Sequence, residues 1–187
     1  MPPQTLLIIR HAEKPQGDWP GPGLDVNGNA DPKSLVVRGW QRAGAWAALF
    51  GSGLASTDYP RPTAVYAADP TSAAGDDPSQ RPYETVIPLA SRLGLTPETK
   101  WAQGDEAALV AELLTLTGVT LVGWEHKRIV EGILPAIVGD SGLPVPTVWD
   151  SNRFDVVLRF DRPSPGQSWM FRQLCPQLMS GDAATPL

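Results

Sequence analysis

Residues 4–13 read QTLLIIRHAE, and the first seven of them decide the fold class. They form a short, continuous apolar run with β-branched members and no polar alternation, the pattern of a strand buried on both faces of a parallel sheet. The run stops at Arg10-His11. Two further stretches read the same way: residues 63–68 (TAVYAA), and residues 119–124 (VTLVGW), which end at Glu125-His126.

Helical patterns lie between and after these runs. From Ser34, Trp40, Ala43, Gly44 and Ala47 recur at helical spacing through about Phe50, with Gly51-Ser52-Gly53 as the stop. Ser79 reads as an N-cap, followed by a stripe of Val86, Leu89, Ala90 and Leu93 that ends at Gly94; Pro82 fits the first turn, and Pro88 predicts a kink. Residues 105–116 place Leu109, Leu113 and Leu116 in phase, after a weak strand over residues 99–101. The run after His126 carries Ile129, Val130, Ile133, Leu134 and Ile137 on one face up to Gly139, with Pro135 predicting a bend.

Residues 154–160 and 168–174 read as a hairpin about a turn rich in Pro, Ser and Gly, and residues 180–187 as a frayed tail. Residues 14–33 are too rich in Gly, Pro, Asn and Asp for regular structure. The expectation is one α/β domain spanning residues 1–187. It is a three-layer sandwich with a mainly parallel central sheet, helices on both faces and a C-terminal antiparallel edge hairpin. Ligands of such folds bind beyond the carboxyl ends of the strands, where both histidines fall.

Composition narrows the chemistry. The chain has 187 residues, 42% hydrophobic and 19% charged, with 18 Gly and 20 Pro, so it is globular with long punctuated loops. Two histidines and one cysteine, Cys175, are too few for a disulfide framework or a four-ligand zinc site, so no metal or other cofactor is expected. With no signal-peptide pattern and no long apolar span, the expected location is the cytoplasm. A net charge of −5 with scattered Lys and Arg argues against nucleic acid or an anionic membrane as partner. Gly139-Asp140-Ser141-Gly142 imitates a serine-protease motif, but the strand and helix alternation contradicts that fold, and a turn is the better reading.

If His11 and His126 each end a parallel strand, they meet at one end of the sheet. Arg10 precedes one of them, and Arg81 opens the helix that starts near the same edge. Two guanidinium groups, two imidazoles and helix N-termini make a local anion pocket whose obvious occupant is a phosphate dianion. Phosphoryl transfer needs a nucleophile in line with the leaving oxygen and donors around the equatorial oxygens. A neutral imidazole can serve as that nucleophile.

Leu7-Ile8-Ile9-Arg10-His11-Ala12-Glu13 resembles the signature of the histidine phosphatase superfamily, the phosphoglycerate-mutase-like group. Arg38-Gly39-Trp40-Gln41-Arg42-Ala43, Arg81 and the strand-end His126 follow in the matching order over residues 4–140. The resemblance implies that His11 is the phosphorylated nucleophile, and that Arg10, Arg81 and His126 bind the phosphate. It also implies a carboxylate acid for the leaving group. Glu125, beside His126, is the preferred acid, although strict strand alternation would point it away from His126. Asp105, Glu106, Glu13 and Glu84 are the alternatives.

The function so implied is metal-independent hydrolysis of a phosphomonoester through a phosphohistidine, on a phosphorylated small molecule or a phosphoprotein. The rival is a non-catalytic phosphate-binding module of the same fold.

Overall fold

The computed structural model describes residues 3–15, 19–52, 57–73 and 77–187. Five strands form one sheet: β1 (Gln4–Arg10), β2 (Ala64–Ala67), β3 (Gly118–Trp124), β4 (Val157–Arg162) and β5 (Met170–Leu174). Their spatial order is β2-β3-β1-β4-β5. The apolar run that opened the sequence is therefore the central strand, and Leu6, Leu7, Ile8 and Ile9 are all at most 1% exposed.

β1 pairs parallel with β3, and β3 with β2, but β1 pairs antiparallel with β4, and β4 with β5. The sheet is thus mixed, not mainly parallel as the sequence suggested. The cause lies in residues 139–156, which contain no regular element. They return the chain to the carboxyl end of β1, so that β4 starts opposite Ile9 and runs back down the sheet. The terminal hairpin is present, with β5 at the edge, and its strands begin two or three residues later than expected.

Helices α1 (Val37–Gly51) and α2 (Arg81–Leu93) bury Trp46, Phe50, Val86 and Leu89 against Leu7, Ile9 and Leu121. The helix α3 (Glu106–Leu113) and the run after β3 bury Leu109, Leu113, Ile129 and Ile133 against Leu6, Ile8 and Val122. Successive residues of β1 and β3 thus feed opposite faces, as strand geometry requires. The run after β3 comprises α4 (His126–Arg128), a π-helical turn (Ile129–Ile133) and α5 (Leu134–Val138). The π turn sits just ahead of Pro135, whose missing N–H breaks the ordinary helical ladder.

Other departures have local causes. α1 starts at Val37 rather than Ser34, because Val36 is extended and its N–H donates to Glu13 O. Gly53, part of the expected stop, lies outside the described residues. α2 runs through Pro88 unbroken and ends on Gly94 in the left-handed region. Residues 99–101 form no strand; Glu98 makes a single parallel bridge to Tyr66. Gly139 ends α5 and Ser141 lies in an exposed turn, as expected of that segment. Among the described residues, no helix is long and apolar enough to cross a membrane.

The crossing of α2 over β3 depends on Gly123. A Cβ there would lie 2.6 Å from Val86 Cγ1 and 3.3 Å from Pro82 O. Gly123→Ala is expected to destabilise the fold by about 2 kcal/mol through this overpacking, measured as a lower urea midpoint. An unchanged midpoint would show that α2 is not held this close to the sheet.

Candidate active site

The register of β1 against β3 places Arg10 opposite Trp124. The pairing is extended by one more bond, from His11 N–H to Trp124 O at 2.9 Å. The two histidine-bearing strand ends therefore stop at the same level, although His11 and His126 are 115 positions apart. The chain leaves β1 towards one face of the sheet and β3 towards the other, which opens a crevice between the strand ends. A cavity of about 230 Å³ occupies it, lined by His11, Lys33, Asp77, Ser79, Arg81, Gln103 and Glu125.

His11 is 2% exposed, and its Nδ1 lies 2.8 Å from the carbonyl oxygen of Ala12. A carbonyl only accepts, so Nδ1 carries the hydrogen and Nε2 keeps its lone pair. Burial, reinforced by the charges of Arg10 and Arg81, pushes the imidazole well below its usual pKa. The ring is neutral near pH 7, with one nitrogen fixed and the other available.

The two arginines are set by different elements. Arg10 is fully buried; its Nη1 donates to the carbonyls of Ser151 at 2.7 Å and Arg153 at 3.0 Å, and its guanidinium lies 3.8 Å from the Phe154 ring centre. Its Nε and Nη2 have no partner among the described residues. Burial lowers its pKa to about 10, so it stays charged. Arg81 is the first residue of α2; its Nη2 donates to Pro32 O, and its buried Nε is likewise unpartnered. Buried guanidinium N–H groups left unpaired beside a neutral imidazole are preorganised for an anion.

Glu125 caps α4, accepting from Arg128 N–H at 2.9 Å, while its other oxygen lies 2.5 Å from His126 Nδ1. The chain turns from strand to helix at this residue, so alternation no longer separates the two side chains. Burial would raise the Glu125 pKa, but His126 and the N–H groups of Arg128 and Lys127 outweigh it and hold the group at about 2. Glu125 is therefore ionised near neutral pH, and holds no proton of its own to give. His126 lies behind it and opens on a second cavity.

Glu13, Glu84, Asp105 and Glu106, the other carboxylates weighed from the sequence, do not line the His11 cavity, whereas Asp77 does and pairs with Lys33 at 3.1 Å. Glu13 is fully buried and bonded to Arg42, with Arg38 at 3.3 Å. Glu84 holds the Ser34 hydroxyl and the Leu35 N–H. Asp105 accepts from Ala102 N–H, and Glu106 from Trp124 Nε1 and Gly104 N–H.

Two solved structures share this arrangement of elements. A mycobacterial glucosyl-3-phosphoglycerate phosphatase superposes with a TM-score of 0.53 at 14% identity, over 90% of this chain and 97% of that one. A protein described as mycobacterial hydrolase 2 gives 0.50 at 15% identity, over 92% and 90%. The chain has the histidine phosphatase fold. No protein-family model and no curated protein matches it in sequence.

Within this fold, several residues near the site were silent in the sequence. Gln103 and Lys33 line the cavity from irregular segments that offer no periodic signal. Thr85, fully buried, accepts from Ala12 N–H at 2.8 Å and donates to Arg81 O at 2.7 Å, tying the loop after His11 to the start of α2. Trp124 is fully buried, and Trp19 packs edge-on to Phe154 beneath Arg38.

The C-terminal tail is pinned, not frayed. Asp182 pairs with Arg42 at 2.7 Å, Ala183 N–H donates to Asp155, and Arg153 donates to Thr185 O. Arg42 in turn holds Glu13, two residues past His11, and the Arg153 carbonyl holds Arg10. Asp182→Asn removes one of the two carboxylates on Arg42, which Glu13 still holds, and is expected to cost about 1–2 kcal/mol. Despite burial, Arg42 lowers the Asp182 pKa, so this contribution is present above the ordinary carboxylate pKa and fades as pH falls through the lowered value. Denaturant melts from pH 2 to 7 should show that acid limb in the parent and a flatter one in the variant.

Proposed function

We propose that this protein is a metal-independent phosphatase that hydrolyses a phosphomonoester through a phosphohistidine at His11. The observation that carries the reading is the state of His11. It is neutral, its Nδ1 is anchored on the Ala12 carbonyl, and it shares a cavity with Arg81. One structural neighbour is a phosphatase and the other a hydrolase, which supports the reading. We read residues 1–187 as a single three-layer domain working in the cytoplasm, on a phosphorylated small molecule rather than nucleic acid or membrane.

In the first step, His11 Nε2 attacks phosphorus, the N–P bond forms and the ester P–O bond breaks. Arg10 and Arg81 stabilise the charge on the equatorial oxygens with the N–H groups that lack protein partners. The leaving oxygen takes a proton from the Glu125–His126 pair. Glu125, facing the cavity and hydrogen-bonded to His126, relays it. In the second step, Glu125 accepts a proton from water as the water oxygen attacks phosphorus. The N–P bond breaks, inorganic phosphate leaves, and the proton taken from water restores the pair.

The rival reading, a phosphate-binding module without turnover, draws on the ionised state of Glu125. One experiment separates them. Brief incubation with a labelled phosphomonoester and denaturing quench should leave an acid-labile, base-stable phosphoryl group on the protein. His11→Ala should remove it and lower kcat/KM by at least about 10³-fold. Tight phosphate binding with neither adduct nor turnover would establish the binding module instead. Glu125→Gln should slow an alkyl phosphate about 10²-fold and a nitrophenyl phosphate much less, because the latter's leaving group hardly needs protonation. Equal slowing of both would remove Glu125 from the proton path.

A further inference from the structure

A second cavity, about 390 Å³, adjoins that of His11, and the two share Gln103 and Glu125 as common wall. If Glu125 and His126 serve the leaving oxygen, the rest of the leaving group extends past that wall. On the far side it meets Lys14, Lys127 and Arg128, with Glu131 as the opposing carboxylate; Glu125 is already matched by His126. The ammonium groups of Lys14 and Lys127 have no carboxylate partner among the described residues.

We propose that this second cavity is an anion subsite, and that the protein's substrates are phosphomonoesters whose leaving group carries a further anion held by Lys14 and Lys127. The proposal rests on the phosphatase reading above. Lys14 is half-buried beside an already cationic centre, and burial together with the charges of Arg81, Arg10 and Lys127 disfavours its ammonium form. A cation in that position is unsatisfied until an anion completes it. Lysine contributes a compact point charge without a fixed fork, so carboxylate and phosphate both meet the requirement. In a chain of net charge −5, the local field draws such substrates to this mouth.

The test compares kcat/KM for three esters: glycerol 3-phosphate, 3-phosphoglycerate and propane-1,3-diol bisphosphate. The parent protein should prefer one or both of the doubly anionic esters over glycerol 3-phosphate by roughly tenfold or more, the scale of one charge-assisted hydrogen bond. Which of the two is preferred identifies the second anion as carboxylate or phosphate. The preference should shrink as ionic strength rises, and Lys14→Met with Lys127→Met should abolish it. Lys127→Glu, at an exposed position, should reverse it.

A preference absent from the parent, or unchanged in these variants, overturns the subsite. If none of the esters phosphorylates His11, the phosphatase reading has failed, and binding decides the subsite without turnover. Calorimetry should then give at least tenfold tighter binding of 3-phosphonopropionate than of ethylphosphonate to the parent, lost in the double variant. Equal binding of the two phosphonates overturns the proposal.

Discussion

Everything in the site depends on the parallel ladder between β1 and β3 running to a common end. Seven aligned residue pairs and the added bond from His11 N–H to Trp124 O fix the two strand termini side by side. A slip of one residue would turn Arg10 and the apolar residues before it to the wrong faces. The two hydrophobic clusters forbid this, because Leu6 and Ile8 pack on one helix layer and Leu7 and Ile9 on the other. Burial on both faces therefore does what no local contact in the crevice does: it sets the spacing of His11 and the Glu125–His126 pair.

The electrostatics follow from the same burial. Desolvation keeps the His11 ring neutral, and the adjacent arginines reinforce it, so a group that is half-protonated near its ordinary pKa keeps a free lone pair at neutral pH. Arg10 and Arg81 are also disfavoured by burial, yet their basicity leaves them charged. The crevice thus carries positive charge on Arg10 and Arg81 that the nearby carboxylates do not pair with, because Glu13, Glu125 and Asp77 are held by Arg42, His126 and Lys33. One buried environment neutralises the histidine and leaves the arginines cationic, since their intrinsic pKa values lie on opposite sides of neutrality.

Much of this was legible in the sequence because it rests on strong local signals. The buried strands, the helix stops at Gly94 and Gly139, and the strand-end positions of His11 and His126 all come from hydrophobic runs and glycine punctuation. The antiparallel return of β4 was not legible, since residues 139–156 carry no periodicity and their path is dictated by tertiary contacts such as Arg10 on the Ser151 and Arg153 carbonyls. The tail misled for a similar reason. A short polar terminus looks unrestrained, and the partners that restrain it, Arg42 and Asp155, lie far away in sequence. Glu125 was correctly placed at the cavity, but its protonation state depends on a bend at one residue that strand alternation does not anticipate.

The grip of Arg10 on residues 151 and 153 also governs when the site comes into being. One end of each hydrogen bond is made first, and the other emerges more than 140 residues later. The tail contacts that secure Arg153 and Arg42 come later still. No nascent chain that stops short of these segments contains a complete anion pocket, however well its first sheet strands have paired. The grouping of these side chains is a property of chain closure, and long-range closures of this kind are the slow steps of folding.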